Sequence, residues 1–310
     1  MRVKILGSAA GGGFPQWNCG CANCGRLRSG SLRGKARTQA QVAVSLDDSS
    51  WTLLNASPDL RQQFMENREF APTGPGRSTP ASAIILTSAD VDCVLGLLHL
   101  REFQPLRIYA TASVRRVLTE ENSLFRTLER SHPPAEWESL PVNEAVPILA
   151  QGAGPNKTGI CCRAVPLDGD FPDYVSERLR RSLPREEALV GLELEQNGKR
   201  MFYAPSITGV SDGWKRRAAE SDLSLLDGTF WTNDELVRVM GSGKTAREMG
   251  HMPLSEEDGL IKQMGNVHGG RRILIHMNNT NPLLDEESAA NRVARDAGWE
   301  IAYDGMECEL

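Results

Sequence analysis

The sequence predicts an α/β protein in which strands and helices form layers. Apolar runs of strand length alternate along the chain with segments in which apolar residues recur at helical spacing. Hairpin-like pairs are interspersed, such as residues 41–45 and 51–55, which a polar turn separates. Because 310 residues can bury a large core, we predict a single domain over residues 1–310.

The composition is that of an ordinary globular protein. Hydrophobic residues make up 40% of the chain, charged residues 24%, and the net charge is -5. Nucleic-acid surfaces need clustered Lys and Arg, so we expect no nucleic-acid partner. No basic apolar leader precedes the first predicted strand, and no apolar run nears the roughly 20 residues that span a bilayer. We therefore expect a cytoplasmic protein without a membrane span.

The candidate site is organised around residues 83–101, AIILTSADVDCVLGLLHLR. A predicted buried strand at 83–86 ends in a loop of alternating polar side chains, and a predicted helix follows at 94–100. Loops at the carboxyl ends of strands carry much of the chemistry of α/β proteins. We therefore predict that four side chains converge there: Ser88, Asp90, Asp92 and Cys93. The alternative is an ordinary helix cap, which the serine or either aspartate could provide.

Three of the seven cysteines form a C-x-C-x-x-C triplet at Cys19, Cys21 and Cys24. Three thiolates at this spacing can reach one tetrahedral metal ion, and the glycine between the first two permits a tight turn. Structural zinc has four protein ligands, so a distant fourth ligand is expected. The alternative is a set of three free thiols. Cys161 and Cys162 fall in a predicted strand, so a buried Cys161 or Cys162 is expected to belong to the core rather than to a functional site.

Further candidate ligands lie in the second half of the chain. Asp227 ends an apolar strand, His251 precedes a predicted helix, and His276 follows another strand. A single such histidine is usually structural and a single acid usually a cap, but several at strand ends favour a functional site. His132, in contrast, precedes two prolines and is predicted to be a solvated loop residue.

Eight short segments in fixed order between residues 11 and 282 carry a family resemblance. They are GGGFPQWNCGCANC, RTQAQVAVS, LNASPDLRQQ, the segment around GLLHLRE, VPLDGD, LLDGTFW, GHMPLS and IHMNNTNP. Together they resemble the coenzyme PQQ synthesis protein B family of the metallo-β-lactamase superfamily. The cysteine-containing first segment and the last segment are specific. The resemblance covers nearly the whole chain and implies a four-layer αββα sandwich.

The resemblance implies a structural zinc site. In related phosphodiesterases of the superfamily, the His of a Gly-His-x-Ser-like segment completes the cysteine triplet. Carried over to this sequence, the zinc ligands are Cys19, Cys21, Cys24 and His251. Three sulfurs and one imidazole nitrogen form an accepted closed set of zinc ligands.

The resemblance also implies an active site. Asp92 and His276 match the family pattern, and Asp227 matches the acid that bridges metals in the superfamily. Cys93 stands where the family usually has His, and two polar residues replace the two leading histidines of the hydrolases. The predicted catalytic set is Ser88, Asp90, Asp92, Cys93, Asp227 and His276. Its carboxylate and imidazole ligands suit one ferrous ion.

Three functions are compatible with this resemblance, which implies a role in making pyrroloquinoline quinone (PQQ) from fused Glu and Tyr side chains of a peptide. The first is iron-dependent hydroxylation of the tyrosine ring, with precursor carboxylates held by Asn278, Asn279, Thr280 or Arg101. The second is a carrier that moves PQQ or its precursor towards the periplasm, which the departures at the first strand end favour. The third is a zinc hydrolase of phosphodiesters or lactams, which needs more His ligands. The expected partner is the small-molecule precursor, and the assembly considered is a homodimer.

Overall fold

The structure is a computed structural model that describes residues 1–45, 47–72, 74–102, 105–130, 133–150, 157–265, 267 and 269–310. His132, predicted as a loop residue, lies outside the described residues. Within these ranges strands and helices alternate along much of the chain, which confirms the predicted α/β class. In the described part of the chain, no helix has the length and apolar character needed to cross a membrane.

The described strands and helices have the following bounds. The strands are β1 (Arg2–Gly7), β2 (Gln41–Ser45), β3 (Trp51–Leu54), β4 (Ala81–Ile85), β5 (Arg107–Ala110), β6 (Glu136–Ser139), β7 (Ala145–Leu149), β8 (Lys157–Pro166), β9 (Val190–Gln196), β10 (Lys199–Ala204), β11 (Leu223–Asp227), β12 (Arg271–Ile275), β13 (Glu300–Ile301) and β14 (Glu307–Glu309). The α-helices are α1 (Ala22–Arg28), α2 (Leu60–Glu66), α3 (Val91–Val94), α4 (Ala112–Arg116), α5 (Thr127–Arg130), α6 (Glu177–Arg180), α7 (Asp212–Ala219), α8 (Glu235–Met240), α9 (Leu260–Gln263) and α10 (Ala289–Asp296). Short 3-10 helices include Arg68–Phe70 and Leu95–Arg101.

The chain divides into two compact units. The first comprises residues 1–6, 41–200 and 307–310, and the second comprises residues 7–40 and 201–306. The single domain expected over residues 1–310 stays a prediction.

The first unit contains a mixed sheet with the strand order β14-β1-β2-β3-β4-β5-β6. Strands β3, β4, β5 and β6 are parallel to one another, whereas β2 is antiparallel to β3. Strands β7, β8 and β9 of this unit pair in antiparallel fashion. The loop that carries the first set of predicted catalytic residues follows β4, at the carboxyl end of the parallel strands.

A close backbone contact fixes the segment after β4. The N–H of Gly96 donates to Ala56 O at 2.9 Å, and the N–H of Ala56 donates to Cys93 O at 2.6 Å. A Cβ atom on Gly96 would lie 2.2 Å from the carbonyl oxygen of Ser57. Only glycine therefore permits this approach, which positions the turn that carries Asp92 and Cys93.

The second unit contains four neighbouring parallel strands in the order β13-β12-β11-β10. Asp227, the last residue of β11, is opposite Ile275, the last residue of β12. Because parallel strands end at the same edge of a sheet, this register places His276 beside Asp227.

We expect Gly96→Ala to destabilise the first unit by about 1 to 3 kcal/mol, because the added methyl group overlaps the backbone of residues 56 and 57. Thermal unfolding measures the change. Gly209→Ala is the matched control, since no atom lies within 4 Å of a Cβ at Gly209. Equal melting temperatures for the two variants would contradict the close contact.

Candidate metal sites

Asp227 is a fully buried carboxylate with four hydrogen-bonding contacts. Its Oδ2 accepts from the N–H of Ile207 at 2.9 Å and lies 2.8 Å from His251 Nδ1. Its Oδ1 accepts from the N–H and the hydroxyl of Thr229 at 2.9 and 2.6 Å. Burial opposes ionisation of Asp227. The charge and hydrogen bond of His251 outweigh this effect, together with the charge of His276 and the hydrogen bond from Thr229, and the pKa of Asp227 is lowered. The carboxylate is therefore ionised at neutral pH.

Two imidazoles stack beside this carboxylate. The ring centroids of His251 and His276 are 5.4 Å apart, and the ligand atoms of both residues and Asp227 all lie within 4.8 Å of one another. The Nδ1–H of His251 donates to the Asp227 carboxylate, which can only accept. The Nδ1 of His276 lies 2.8 Å from Thr229 Oγ1. The one proton of that hydroxyl is directed to Asp227 Oδ1 at 2.6 Å or to His276 O at 2.9 Å, so His276 Nδ1 is the donor in this contact. In the neutral form, each ring then carries its lone pair on Nε2.

The group of Asp227, His251 and His276 fits a divalent metal ion. It combines an ionised carboxylate with two imidazoles whose Nδ1 atoms are held by hydrogen bonds, the arrangement that orients metal-binding histidines. An ion that the carboxylate also ligates would replace one of the four hydrogen bonds that Asp227 accepts. Two histidines and one carboxylate ligate ferrous iron in nonhaem oxygenases and zinc in some hydrolases. We refer to these three residues as the Asp227 group.

This arrangement differs from the sequence prediction in one respect. Asp227 and His276, both predicted catalytic residues, lie together. His251, which the resemblance implies as a zinc ligand of the cysteine triplet, lies with them, because its Nδ1 contacts the buried Asp227 carboxylate at 2.8 Å. Among the described metal-binding side chains, the cysteines form a separate group that does not include His251. The geometry therefore does not support His251 as their fourth ligand.

The cysteine triplet forms the second group, with its three Sγ atoms within 4.8 Å of one another. Cys21 occupies the N-cap of α1, and Cys24 lies buried within the helix. Burial disfavours the Cys19 thiolate, but the N–H of Cys21 and the neighbouring thiols outweigh it and lower the pKa of Cys19. Burial raises the pKa of Cys24 to about 11. Three clustered sulfurs of this kind fit one tetrahedral zinc ion.

The side-chain amide of Asn279 lies against all three sulfurs. Its Nδ2 is 3.1 Å from Cys19 Sγ, 3.5 Å from Cys21 Sγ and 3.4 Å from Cys24 Sγ. Asn279 is predicted above to hold a substrate carboxylate, but it is only 5% exposed. An amide that donates to sulfur stabilises negative charge on it, so Asn279 is a natural partner of bound thiolates.

The other predicted substrate-binding residues of this loop also bond within the protein. Asn278 Nδ2 donates to Thr280 Oγ1 at 2.6 Å, and Thr280 Oγ1 donates to Glu235 Oε1 at 2.6 Å. The second oxygen of Glu235 accepts from the N–H of Trp231 at 2.6 Å. Burial raises the pKa of Glu235 to about 7. The sequence reasoning missed Glu235, whose surroundings come from residues far along the chain.

Thr229 is a second residue that sequence reasoning missed, although a signal was present. It stands two residues after Asp227, where the Asp side chain can accept its N–H in an Asx turn. Such a turn directs the Thr229 hydroxyl towards the Asp227 carboxylate and His276 Nδ1.

At the first predicted strand end, Ser88 and Asp90 bond to each other. Ser88 Oγ donates to Asp90 Oδ2 at 2.7 Å, and the N–H of Asp90 donates to Ser88 Oγ at 3.2 Å. Asp90 occupies the N-cap of α3 without a side-chain capping bond. Burial, followed by the charges of Asp92 and Asp90, raises the pKa of Cys93 well above its usual range. The thiol is therefore protonated at neutral pH.

The predicted catalytic set combines residues that belong to different units. Ser88, Asp90, Asp92 and Cys93 belong to the first unit, whereas Asp227 and His276 belong to the second. Their common site stays a prediction. Arg101 also belongs to the first unit, where it lies 3.3 Å from Glu102 and lines a cavity.

The Glu235→Gln substitution tests how far ionisation of the buried Glu235 carboxyl group lowers the free energy of unfolding. Its folded pKa of about 7 exceeds the ordinary value of 4.5, so the folded state holds the proton more tightly and stability falls as pH rises through this range. Glutamine stays neutral and can still accept from Trp231. We expect it to raise the free energy of unfolding at about pH 8 by about 1 to 3 kcal/mol, with little change near pH 5.

Thermal unfolding at the two pH values measures this effect. Glu287→Gln is the control, because the side chain of Glu287 is 71% exposed. The same pH-dependent gain in both variants would contradict the assignment to Glu235.

Comparison with known proteins identifies the family. The family model described as Beta-lactamase superfamily domain matches residues 50–277. A coenzyme PQQ synthesis protein B from Azoarcus sp. (strain BH72) is 41% identical over 312 residues, covering 100% of both chains. A second protein of the same name, from Methylobacterium sp. (strain 4-46), is 40% identical and also covers both chains completely.

Solved structures agree with this relationship. The Zn(2+)-bound PqqB from Methylobacterium extorquens matches with a TM-score of 0.90 and 37% identity over 100% of both chains. A diphosphatase from the PhnP family matches in fold alone, with a TM-score of 0.67 and 18% identity over 100% of this chain and 97% of its own. The predicted metallo-β-lactamase-like fold, with mixed sheets flanked by helices, is confirmed. The chain belongs to the coenzyme PQQ synthesis protein B family of the β-lactamase superfamily.

Proposed function

We propose that this chain acts in PQQ biosynthesis as an iron-dependent hydroxylase of the tyrosine ring of a Glu-Tyr-derived precursor. The names of its full-length relatives support the role in PQQ synthesis. The observation that carries the reaction is the Asp227 group, in which one buried carboxylate and two imidazoles form the ligand set of nonhaem iron oxygenases.

The residues of the chain have distinct tasks in this reaction. Ferrous iron, when bound, supplies the activation of dioxygen. Asp227 contributes negative charge and holds the tautomer of His251, while Thr229 does the same for His276. One oxygen atom of dioxygen would be inserted into a ring C–H bond, which converts the tyrosine phenol into a catechol. The other would leave as water, with two electrons and two protons supplied by an external reductant such as ascorbate.

We propose a separate zinc ion at Cys19, Cys21 and Cys24. The Zn(2+)-bound relative supports a zinc site in this family. Asn279 contacts all three sulfurs, and its amide oxygen can turn to face the ion because the two ends of an amide are nearly the same shape. We therefore propose Asn279, rather than His251, as the fourth group at this ion.

Metal analysis of protein purified without oxygen separates the two sites. We expect Cys19→Ser to lose zinc, because three ligands cannot close the site once one sulfur is removed. We expect His251→Ala to lose the second metal and to retain zinc. His99→Ala, which alters a histidine outside both groups, should retain both metals. Loss of zinc in His251→Ala would contradict this proposal and would support His251 as the fourth zinc ligand, as the resemblance implies.

Oxygen-dependent turnover tests the hydroxylase. With ferrous iron, ascorbate and a Glu-Tyr peptide, we expect a product one oxygen atom heavier by mass spectrometry. Thr229→Val should lower its rate by about 10- to 100-fold, because the Nδ1 of His276 loses its hydrogen-bonding partner. Thr119→Val, which lies in the first unit, is the control. Iron-loaded protein that forms no such product contradicts the proposal.

A carrier is the second candidate function. The mutual hydrogen bond of Ser88 and Asp90 favours it, and so does Cys93, which stands where the family usually has His. If the residue at position 93 limits turnover, Cys93→His should create activity. Turnover by the unaltered chain would exclude a pure carrier.

A hydrolase of phosphodiesters or lactams is the third candidate, and Ser88 and Asp90 in place of two histidines make it the weakest. A generic phosphodiester substrate tests it. The cytoplasmic location, the homodimer and the absence of a nucleic-acid partner stay predictions.

A further inference from the structure

A cavity of about 780 Å³ lies in the first unit. It is lined by α2, by residues on both sides of the 3-10 helix Arg68–Phe70, and by the end of the 3-10 helix Leu95–Arg101. Its volume is that of a pocket for a small molecule. Its lining contains neither the Asp227 group nor the cysteine triplet, so the cavity is additional to both candidate metal sites.

One wall of the cavity is apolar and aromatic. Phe64 and Phe70 stack with their ring centroids 4.6 Å apart and an interplanar angle of 15°. Leu60 and Leu100, both buried, line the cavity beside them. Phe70 is itself fixed by Trp51, whose ring centroid lies 5.5 Å away. This wall offers apolar and aromatic side chains against which an aromatic ring can pack.

The lining also carries an excess of positive charge. It contains four arginines, Arg61, Arg68, Arg77 and Arg101, and one acid, Glu102. Glu102 pairs with Arg77 at 3.0 Å and with Arg101 at 3.3 Å. Within the described residues, Arg61 and Arg68 have no ion-pair partner. In a chain with a net charge of -5, this local excess favours an anionic ligand.

We propose that this cavity binds a small aromatic carboxylate. The ring lies against Phe64 and Phe70, and the carboxylate is held by Arg61 and Arg68, whose planar guanidinium groups match carboxylates in bidentate geometry. The site goes beyond the proposed hydroxylation, because it requires no metal and uses none of the residues of the Asp227 group.

Titration of the metal-loaded full chain with naphthalene-2,6-dicarboxylate tests this site. We expect saturable binding in low salt, weakened at least tenfold by the double substitution Arg61→Gln and Arg68→Gln, and weakened by added salt. The neutral dimethyl ester should bind at least tenfold more weakly than the diacid. Arg115→Gln, an exposed arginine of the same unit outside the cavity, is the matched control and should leave binding unchanged.

Three results would overturn the proposal. The first is that the unaltered chain shows no saturable binding at millimolar probe. The second is that the double variant and the control bind the probe with equal affinity. The third is that His251→Ala abolishes binding while the double variant retains it. The last result would assign the probe to the Asp227 group. Because this readout needs no turnover, it is independent of the hydroxylase test. Thermal unfolding of the double variant verifies that it remains folded.

Discussion

The buried carboxylate of Asp227 is the interaction on which the second unit's candidate metal centre depends. A charge removed from water costs several kcal/mol unless hydrogen bonds replace the lost solvation. Here the backbone after β10 supplies Ile207, the turn after β11 supplies Thr229, and the loop before α9 supplies His251. These contacts satisfy the charge only when three chain segments have reached their final positions. The ionised acid therefore helps to specify the arrangement of the imidazoles, in addition to being a proposed metal ligand.

The segment 276–281 connects the two candidate metal sites of the second unit. It begins with His276 in the Asp227 group and continues to Asn279 at the sulfurs. Asn281 Nδ2 donates to Gly228 O, and Asn23 Nδ2, next to the last cysteine of the triplet, donates to Asn281 O. An ion held by sulfur would thus stiffen the same backbone that presents the imidazole. A structural ion and a catalytic ion can in this way be coupled without a shared ligand.

Much of this arrangement could be predicted from the sequence, and the exceptions have physical reasons. Asp227 and His276 were recognisable because the first ends an apolar strand and the second follows one, and parallel strand ends meet at one sheet edge. His251 could not be assigned by spacing, because a loop histidine can reach either the sulfurs or the carboxylate. From the sequence alone, Asn279 resembles a polar residue at the rim of a substrate pocket, because the sequence does not show that the cysteine loop packs against it. The predicted helix at 94–100 is mainly a 3-10 helix, where Gly96 lies against the backbone of residues 56 and 57 in the loop after β3.

His276 has a left-handed backbone conformation, with φ of 64°. A residue with a Cβ atom is strained there by about 1 kcal/mol, whereas glycine is not. Two hydrogen bonds on either side of His276 hold this backbone conformation in place. The N–H of Met277 donates to Ser8 O, and the N–H of Gly228 donates to Ile275 O. Glycine at 276 would relieve this backbone strain but would remove the imidazole and its contact with Thr229. At this position, the backbone conformation and the capacity to bind a metal favour different amino acids.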